Sequence, residues 1–275
     1  MPEPVPQLGA QGLHGIFEKL ASMDVADGGV VDVYDPQLAD FYDAFMADFG
    51  ADIPHYERLV PPHGGEVLDL ACGAGRISIA LARSGHNVLG VDLSTAMLDL
   101  GRASLALEGA DISDRVSFVH GDISSFDFGA RFDLIVLGIT SISLLPDRSS
   151  RIGMFASVAN HLKADGRFVF DILDLEGETW RRFDNFHDVW TVPNDAGTDF
   201  AVVGQRFYPE ERKFVLNMYR ETIGWNGDTR RILGRSVKIW LGRDELIGEM
   251  AEAGLGFIKD FVEGDQRYFV AGLAS

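Results

Sequence analysis

The chain has 275 residues, 46% of them hydrophobic and 24% charged, a composition typical of a globular protein with a sizeable core. Its 42 acidic and 24 basic residues give a formal net charge of −18, which disfavours nucleic acid and anionic membranes as partners. A single cysteine, Cys72, excludes an internal disulfide.

Targeting and metal signals are missing from the sequence. Residues 1–10 lack the basic and apolar segments of a secretory signal, and no apolar run reaches the roughly 20 residues of a membrane helix. Histidine and cysteine show no structural-zinc spacing, so we expect no metal site. We therefore expect a cytoplasmic protein without a membrane partner. A homodimer is left open.

In chain order, apolar residues at helical spacing first predict two helices, over 14–23 and 36–49, ahead of any strand. From residue 66 onward, short apolar runs alternate with helical stretches, which is typical of βαβ units and a parallel sheet. The predicted strands are 67–70, 87–91, 116–120, 134–137 and 167–172, and the helices between them are 76–84, 95–106 and 148–162.

A turn-punctuated, aromatic-rich stretch follows, with strands predicted at 189–192, 200–208, 213–225 and 229–240. A helix over 243–253 and strands over 257–262 and 267–272 complete the chain. We predict an α/β fold with a doubly wound, mostly parallel seven-stranded sheet and an antiparallel β insertion after its fifth strand. The predicted domains are an N-terminal helical lid (1–65), the doubly wound domain (66–175 and 241–275) and a substrate cap (176–240).

A glycine loop follows the first of the parallel strands. Its small residues, Ala71, Gly73 and Gly75, allow a tight turn and a close approach of the backbone to a ligand at the start of the next helix. Arg76 opens that helix. Its side chain is a candidate to hold a ligand carboxylate, the alternative being a surface residue.

Three aspartates accompany this loop, each placed at the end of a successive predicted strand. In an open α/β sheet the ligand crevice lies outside the carboxyl ends of the strands, so Asp69, Asp92 and Asp122 should converge on one ligand. Asp92 is placed to accept hydrogen bonds from two ribose hydroxyls, and Asp122 is placed for an adenine amino group, with Ile123 against the ring.

Asp69 decides between cofactors. A carboxylate at the glycine loop repels a pyrophosphate but suits a ligand that carries an ammonium and a sulfonium. Moreover, Ser78 stands where the dinucleotide-binding fingerprint requires its third glycine. The residues thus favour S-adenosylmethionine over a dinucleotide.

The segments 67–75, 90–94, 121–123 and 132–136 resemble the successive motifs of class I, Rossmann-like S-adenosylmethionine-dependent methyltransferases over about residues 30–172. Members commonly carry glycine where this chain has Ala71. The resemblance implies an adenosine pocket lined by Leu93 and Met97, with Leu137 and Gly138 near the sulfonium. It also implies that Tyr34 and Tyr42 belong to a lid over the cofactor and acceptor, the alternative being aromatic residues that pack helices.

The acceptor should meet the methyl group where the fourth strand ends. The sequence lacks the Asn/Asp-Pro-Pro-aromatic run of DNA-base and glutamine methylases, and Thr140, Ser141 and Ser143 offer hydroxyls on an apolar floor. These hydroxyls suit a compact acceptor, or else they cap the following helix. Asp171 and Asp174 are candidates to orient an ammonium, or else they are exposed loop acids. Trp180 or Trp190 of the cap is expected to face the substrate.

A narrower resemblance, over mainly the same residues, is to the daptide-pathway methyltransferases that dimethylate the N-terminal amine of a peptide. We therefore expect N-methylation of an amine on a small metabolite or a short peptide of natural-product biosynthesis. O-methylation of a small natural product and cyclisation of the cofactor's aminobutyryl arm remain alternatives.

Overall fold

The computed structural model describes residues 8–9, 11–23, 26–27, 29–47, 49–62, 64–176, 179–182, 184–194 and 197–274. Most of the N-terminal stretch 1–10, where no secretory signal is predicted, lies outside these residues.

Eight helices and twelve strands occur in the described part of the chain. In chain order they are α1 (Ile16–Ser22), β1 (Val30–Asp32), α2 (Ala39–Met46), α3 (Ile53–Glu57), β2 (Glu66–Leu70), α4 (Arg76–Arg83), β3 (Asn87–Asp92), α5 (Thr95–Leu105), α6 (Ala110–Ser113), β4 (Val116–His120), β5 (Phe132–Leu137), α7 (Arg148–His161), β6 (Leu162–Leu173), β7 (Phe186–Asn194), β8 (Gly197–Tyr208), β9 (Lys213–Gly224), β10 (Thr229–Ile239), α8 (Arg243–Glu252), β11 (Leu255–Glu263) and β12 (Gln266–Leu273). Short 3₁₀ turns lie at Ser141–Leu144, Thr179–Arg182 and Pro209–Glu211.

The chain divides into two compact units, each built from two separate segments. One comprises Met1–Tyr42 and Leu175–Trp240, and the other comprises Asp43–Asp174 and Leu241–Ser275. The segment 43–65, which the sequence groups with an N-terminal lid, thus falls in the unit that contains β2. The lid and cap roles of these segments stay predictions.

The larger unit contains a seven-stranded sheet in the order β11-β12-β6-β5-β2-β3-β4. Strands β2 to β6 are parallel, whereas β12 runs antiparallel to both β6 and β11. The parallel strands are apolar because helices cover such a sheet on both faces, and Leu68, Leu134 and Val169 are fully buried. The predicted fold class, a doubly wound and mostly parallel seven-stranded sheet, is confirmed.

The strand order places the ligand crevice. The chain runs from β2 outward through β3 to β4 and then returns to the opposite side of β2 as β5. Strand order therefore reverses between β2 and β5, and a doubly wound sheet binds its ligand outside the carboxyl ends of the strands at such a point. The loops after β2, β3 and β5 are the ones that this topology brings to the crevice.

The smaller unit is a five-stranded sheet in the order β1-β10-β9-β8-β7, antiparallel throughout except for β1. Its core contains Leu13, Phe17, Tyr219 and Leu233. The prediction that only helices precede the first strand of the parallel sheet is wrong. The three residues Val30–Asp32 form a strand, because β10 offers them a parallel partner about 200 positions later.

Candidate functional site

The loop between β2 and α4 turns sharply through left-handed backbone. The φ angle is 52° at Ala71, 56° at Gly73 and 81° at Gly75. Glycine adopts such angles without steric cost, whereas Ala71 is strained there. At Gly75 the packing is also tight, since a Cβ would lie 2.4 Å from Cζ of Phe118.

Asp92, the last residue of β3, ties its own loop to the glycine loop. Its Oδ2 accepts a hydrogen bond of 2.8 Å from the Gly73 amide, and its Oδ1 accepts one of 2.8 Å from the Ser94 amide. Burial raises the pKa of this carboxyl, although the backbone amides oppose that shift. Each carboxylate oxygen retains a lone pair, so both can also accept from a ligand hydroxyl.

Asp69 lies inside β2, one residue before the strand ends, and its side chain is almost fully buried. The Ser78 hydroxyl donates to Oδ2 at 2.6 Å, while Oδ1 has no hydrogen-bond partner among the described residues. Burial raises the pKa of Asp69 to about 7, against the opposing effects of the Ser78 hydroxyl and the Arg76 charge. The charge of Asp92 adds to the increase. Asp69 pairs with Gly90 of β3, two residues before Asp92, so the structure brings these two predicted acids together.

Arg76, the first residue of α4, is held by a partner that the sequence analysis did not identify. Its guanidinium donates to both oxygens of buried Asp52, at 2.7 and 2.6 Å, and to the Phe49 carbonyl at 2.9 Å. The bidentate geometry fixes the plane of the guanidinium. Arg76 is therefore anchored within its unit, and its predicted contact with a ligand carboxylate stays a prediction.

The residues predicted to surround an adenosine follow β3 and β4. Leu93 is 64% exposed directly after the last residue of β3, whereas Met97 is buried and its Cε lies 3.3 Å from a Cβ placed on Gly73. Asp122 and Ile123 come two and three residues after His120, which pairs with Asp92 across the two strands. Asp122 is exposed, and its Oδ1 accepts the Ser124 amide at 2.8 Å.

After Leu137, which is fully buried at the end of β5, the chain makes an unusual turn. Ile139 and Thr140 both have left-handed backbone, with φ of 51° and 56°. For a β-branched residue this conformation is a genuine outlier. Gly138 precedes them, and a Cβ there would lie 2.6 Å from Ile77 Cδ1 and 3.1 Å from Tyr56 Oη.

The hydroxyl groups after this turn face different surroundings. Ser141 Oγ donates back to the Gly138 carbonyl at 2.7 Å, and Ser143 is buried. The side chain of Thr140, which stands at the cap position of the 3₁₀ turn, makes no capping hydrogen bond. The alternative in which this hydroxyl caps the next helix is therefore wrong, and α7 is capped by Asp147 instead.

Asp171 lies inside β6 and is fully buried. The interpretation of this residue as an exposed loop acid is therefore wrong, because the fifth parallel strand extends past it to Leu173. Its Oδ2 accepts a hydrogen bond of 2.9 Å from the Thr140 amide, so it contacts the turn that follows β5.

Tyr56, on α3, was not identified from the sequence. It is fully buried, and its Oη has no hydrogen-bond partner among the described residues. Burial, then the charges of Asp171 and Asp52, raise its pKa well above the usual value, so the phenol stays protonated. Spacing carries no signal for Tyr56 or Asp52, because α3 is only five residues long and precedes every motif of the crevice.

The remaining candidates lie in the smaller unit. The rings of Tyr34 and Tyr42 meet edge to face with centroids 4.9 Å apart, and the ring of Trp190 lies 5.8 Å from that of Phe41. The ring of Trp180 carries the guanidinium of Arg181 over its face, at 4.8 Å. The predicted contacts of Tyr34, Tyr42, Trp180 and Trp190 with cofactor or substrate stay predictions.

No helix in the described ranges combines the length and the apolar character that a bilayer crossing requires. Across those same ranges, no three histidine, cysteine, aspartate or glutamate side chains are grouped so that they could hold a metal ion.

Comparison with known families gives one domain match, to a methyltransferase domain over residues 67–166. YqeM of Bacillus subtilis (strain 168), whose name places it among methyltransferases, is 38% identical over 168 residues, which cover 61% of this chain and 63% of YqeM. The cypemycin N-terminal methyltransferase of a Streptomyces species is 33% identical over 114 residues, 42% of this chain and 44% of that protein. The chain thus matches less than two thirds of the length of each relative.

Among solved structures, the sugar N-methyltransferase KedS8 from Streptoalloteichus sp. ATCC 53650 superimposes with a TM-score of 0.72 at 20% identity. The superposition covers 98% of this chain and 99% of KedS8. At this identity the similarity establishes the fold.

Proposed function

We propose that this chain, whose residues 67–166 match a methyltransferase domain, transfers the methyl group of S-adenosylmethionine to an amine of a small metabolite or short peptide. The observation that carries the proposal is the joined pair of loops at the crevice, where the Asp92 carboxylate binds the Gly73 amide at 2.8 Å.

The residues at these loops fit the cofactor. Asp69 Oδ1 is a buried carboxylate oxygen without a hydrogen-bond partner in the described part of the chain, as expected of a group whose partner is a ligand cation. The left-handed glycines leave positions 73 and 75 of the loop without a side chain, and Leu93 presents an exposed apolar surface beside Asp92. When bound, the cofactor supplies an activated methyl group on a sulfonium.

The protein's own contribution is alignment. Asp92 would accept hydrogen bonds from the ribose hydroxyls with its remaining lone pairs, and Asp122, past the next strand, would accept one from the adenine amino group. Methyl transfer is an in-line displacement, so positioning the donor and acceptor and excluding water account for most of the catalysis. Thr140, Ser141 and Ser143 form the polar part of the acceptor floor.

The choice of an amine as the methyl acceptor is supported by the names of two similar proteins. These are the cypemycin N-terminal methyltransferase and the sugar N-methyltransferase KedS8. An amine attacks only in its neutral form, and a pocket that removes water from the amine favours that form. Of the candidate acceptors, the N-terminal amine of a short ribosomal peptide fits best, because it is an amine that a water-excluding pocket can keep in its neutral form. A cytoplasmic location is part of this proposal.

The test is mass spectrometry after incubation with deuterated-methyl S-adenosylmethionine. We expect labelled methyl groups on peptides with a free N-terminus or on small amines, and none on the same peptides after N-terminal acetylation. Asp92→Ala should abolish labelling. Labelling of phenols or carboxylic acids while amines stay unlabelled would establish O-methylation instead. Release of methylthioadenosine in place of S-adenosylhomocysteine would indicate cyclisation of the cofactor.

A further inference from the structure

The turn Gly138–Thr140 carries more backbone strain than any other part of the crevice. Ile139 and Thr140 are consecutive left-handed residues, and neither is glycine. A non-glycine residue in this region is strained, so two in sequence persist only where neighbouring groups hold them.

One side chain from another strand holds this turn. The Asp171 carboxylate, fully buried in β6, accepts the Thr140 amide at 2.9 Å. Local hydrogen bonds add to it: the Ser143 amide donates to the Thr140 carbonyl at 2.9 Å, and Ser141 Oγ donates to the Gly138 carbonyl at 2.7 Å. Asp171 thus connects the end of β5 to the neighbouring strand at a fixed point.

The turn also lies at the place where its shape affects a ligand. It follows β5, which flanks the strand-order reversal, and β5 is adjacent to β2 with its glycine loop. Backbone strain is concentrated at functional sites in proteins, because it holds groups in a geometry that a relaxed chain would abandon. A relaxed Ile139–Thr140 segment would move the wall of the crevice.

We propose that Asp171 is a positioning residue, whose hydrogen bond to the Thr140 amide holds the left-handed turn Ile139–Thr140 and so shapes the cofactor crevice. This inference rests on the proposed function. It differs from a role in which the charge of Asp171 orients the ammonium of the acceptor, because the group that it holds is the protein's own backbone.

Two substitutions at position 171 separate the hydrogen bond from the charge. Asp171→Asn keeps an oxygen that accepts the Thr140 amide but removes the charge, whereas Asp171→Leu keeps the approximate shape and removes the acceptor. We expect the affinity for S-adenosylmethionine, measured by calorimetry, to fall about tenfold or more in Asp171→Leu, because the amide is left unsatisfied and the turn relaxes. Asp171→Asn should stay within about threefold of the wild type.

A second-site substitution tests the strain directly. Ile139→Gly accepts the left-handed conformation without steric cost. Introduced into Asp171→Leu, it should recover most of the lost affinity, since the turn then needs less restraint. Hydrogen exchange should show a protected Thr140 amide in the wild type and Asp171→Asn, and an unprotected one in Asp171→Leu. If Asp171→Leu only weakened the fold, Ile139→Gly would not restore the affinity for S-adenosylmethionine.

Thermal unfolding first verifies that the variants are folded. Each binding result then either supports or overturns the inference. Equal affinity of Asp171→Leu and the wild type would overturn the inference and leave the proposed function standing. An Asp171→Asn variant as weak as Asp171→Leu would overturn it too, because the charge would then be the essential feature. A wild type that bound neither S-adenosylmethionine nor S-adenosylhomocysteine would overturn the proposed function itself, and this inference with it.

Discussion

Tyr56 contains a single buried atom that lowers the stability of the fold. Its Oη is buried without a hydrogen-bond partner among the described residues, and an unsatisfied buried polar group costs about 1 to 3 kcal/mol. Tyr56→Phe removes this oxygen and keeps the ring. We expect the variant to be as stable as the wild type or about 1 kcal/mol more stable in urea unfolding.

Tyr268→Phe is the matched control, because the Tyr268 hydroxyl donates to Gln266 Oε1 at 2.6 Å. Removing this satisfied hydroxyl should lower the free energy of unfolding by about 1 kcal/mol. Should Tyr56→Phe lose as much as the control, the phenol of Tyr56 must have a hydrogen-bond partner in solution.

Asp69 predicts a pH dependence of stability. Burial raises its pKa in the folded protein to about 7, from an ordinary value of 3.8. Between these values the folded protein binds more protons than the unfolded chain, so stability falls as the pH rises from about 4 to about 7 and changes no further above that. Asp69→Asn cannot ionise and should lose less stability over this interval.

Urea unfolding of both proteins at about pH 5 and about pH 8 measures the difference. The raised pKa of Asp92 acts in the same direction and is common to both proteins, so the comparison isolates Asp69. Identical losses in the two proteins would contradict a buried, proton-binding Asp69.

At the scale of elements, the junction of β2 and α4 depends on Gly75. Its φ is 81°, and a Cβ would lie 2.4 Å from Phe118 Cζ, a distance that packed atoms do not tolerate. Gly75→Ala should destabilise the protein by about 2 to 4 kcal/mol, from backbone strain and overpacking together. Thermal unfolding of the purified variant measures the loss.

Gly248→Ala provides the control within a helix. Gly248 lies inside α8, and a Cβ there would meet nothing within 4 Å. Alanine favours helix over glycine, so this variant should gain about 0.5 to 1 kcal/mol. A similar response of both variants would mean that helix propensity, and not the turn, governs position 75.

The elements themselves could be predicted largely from the sequence. The strand predicted over 116–120 matches β4, and the helix predicted over 95–106 extends one residue beyond α5. Both have strong local periodicity and clear ends, such as the Ser94 side chain that caps α5. By contrast β1 has three residues and exists only through its pairing with distant β10, which no local pattern reports.

Of the candidate site, only the loops that carry the glycines and the carboxylates could be predicted from the sequence. The order of glycine loop and strand-end carboxylates places Asp69 and Asp92 near each other, and in the structure Asp69 pairs with Gly90, two residues before Asp92. The left-handed turn at Ile139 and the ion pair between Arg76 and Asp52 could not be predicted. The first depends on tertiary restraint, and the second joins α4 to a short helix about 25 residues earlier.

At the scale of the whole molecule, net charge should make stability depend on salt. A formal charge of −18 leaves many carboxylates repelling one another, and salt shortens the Debye length to about 10 Å at 0.1 M. We expect the midpoint of thermal unfolding to rise between low salt and about 0.2 M sodium chloride. A constant or falling midpoint would mean that attractive ion pairs outweigh the repulsion.

Each of the two units is built from two segments that are far apart in the sequence, and this affects folding during synthesis on the ribosome. The five parallel strands are all translated by Leu173, so much of the larger sheet can assemble before β12, which pairs with β6 and begins only at Gln266. Strand β1 waits even longer for its neighbour, because β10 begins at Thr229. The nascent polypeptide must therefore hold β1 unpaired until β10 has left the ribosome.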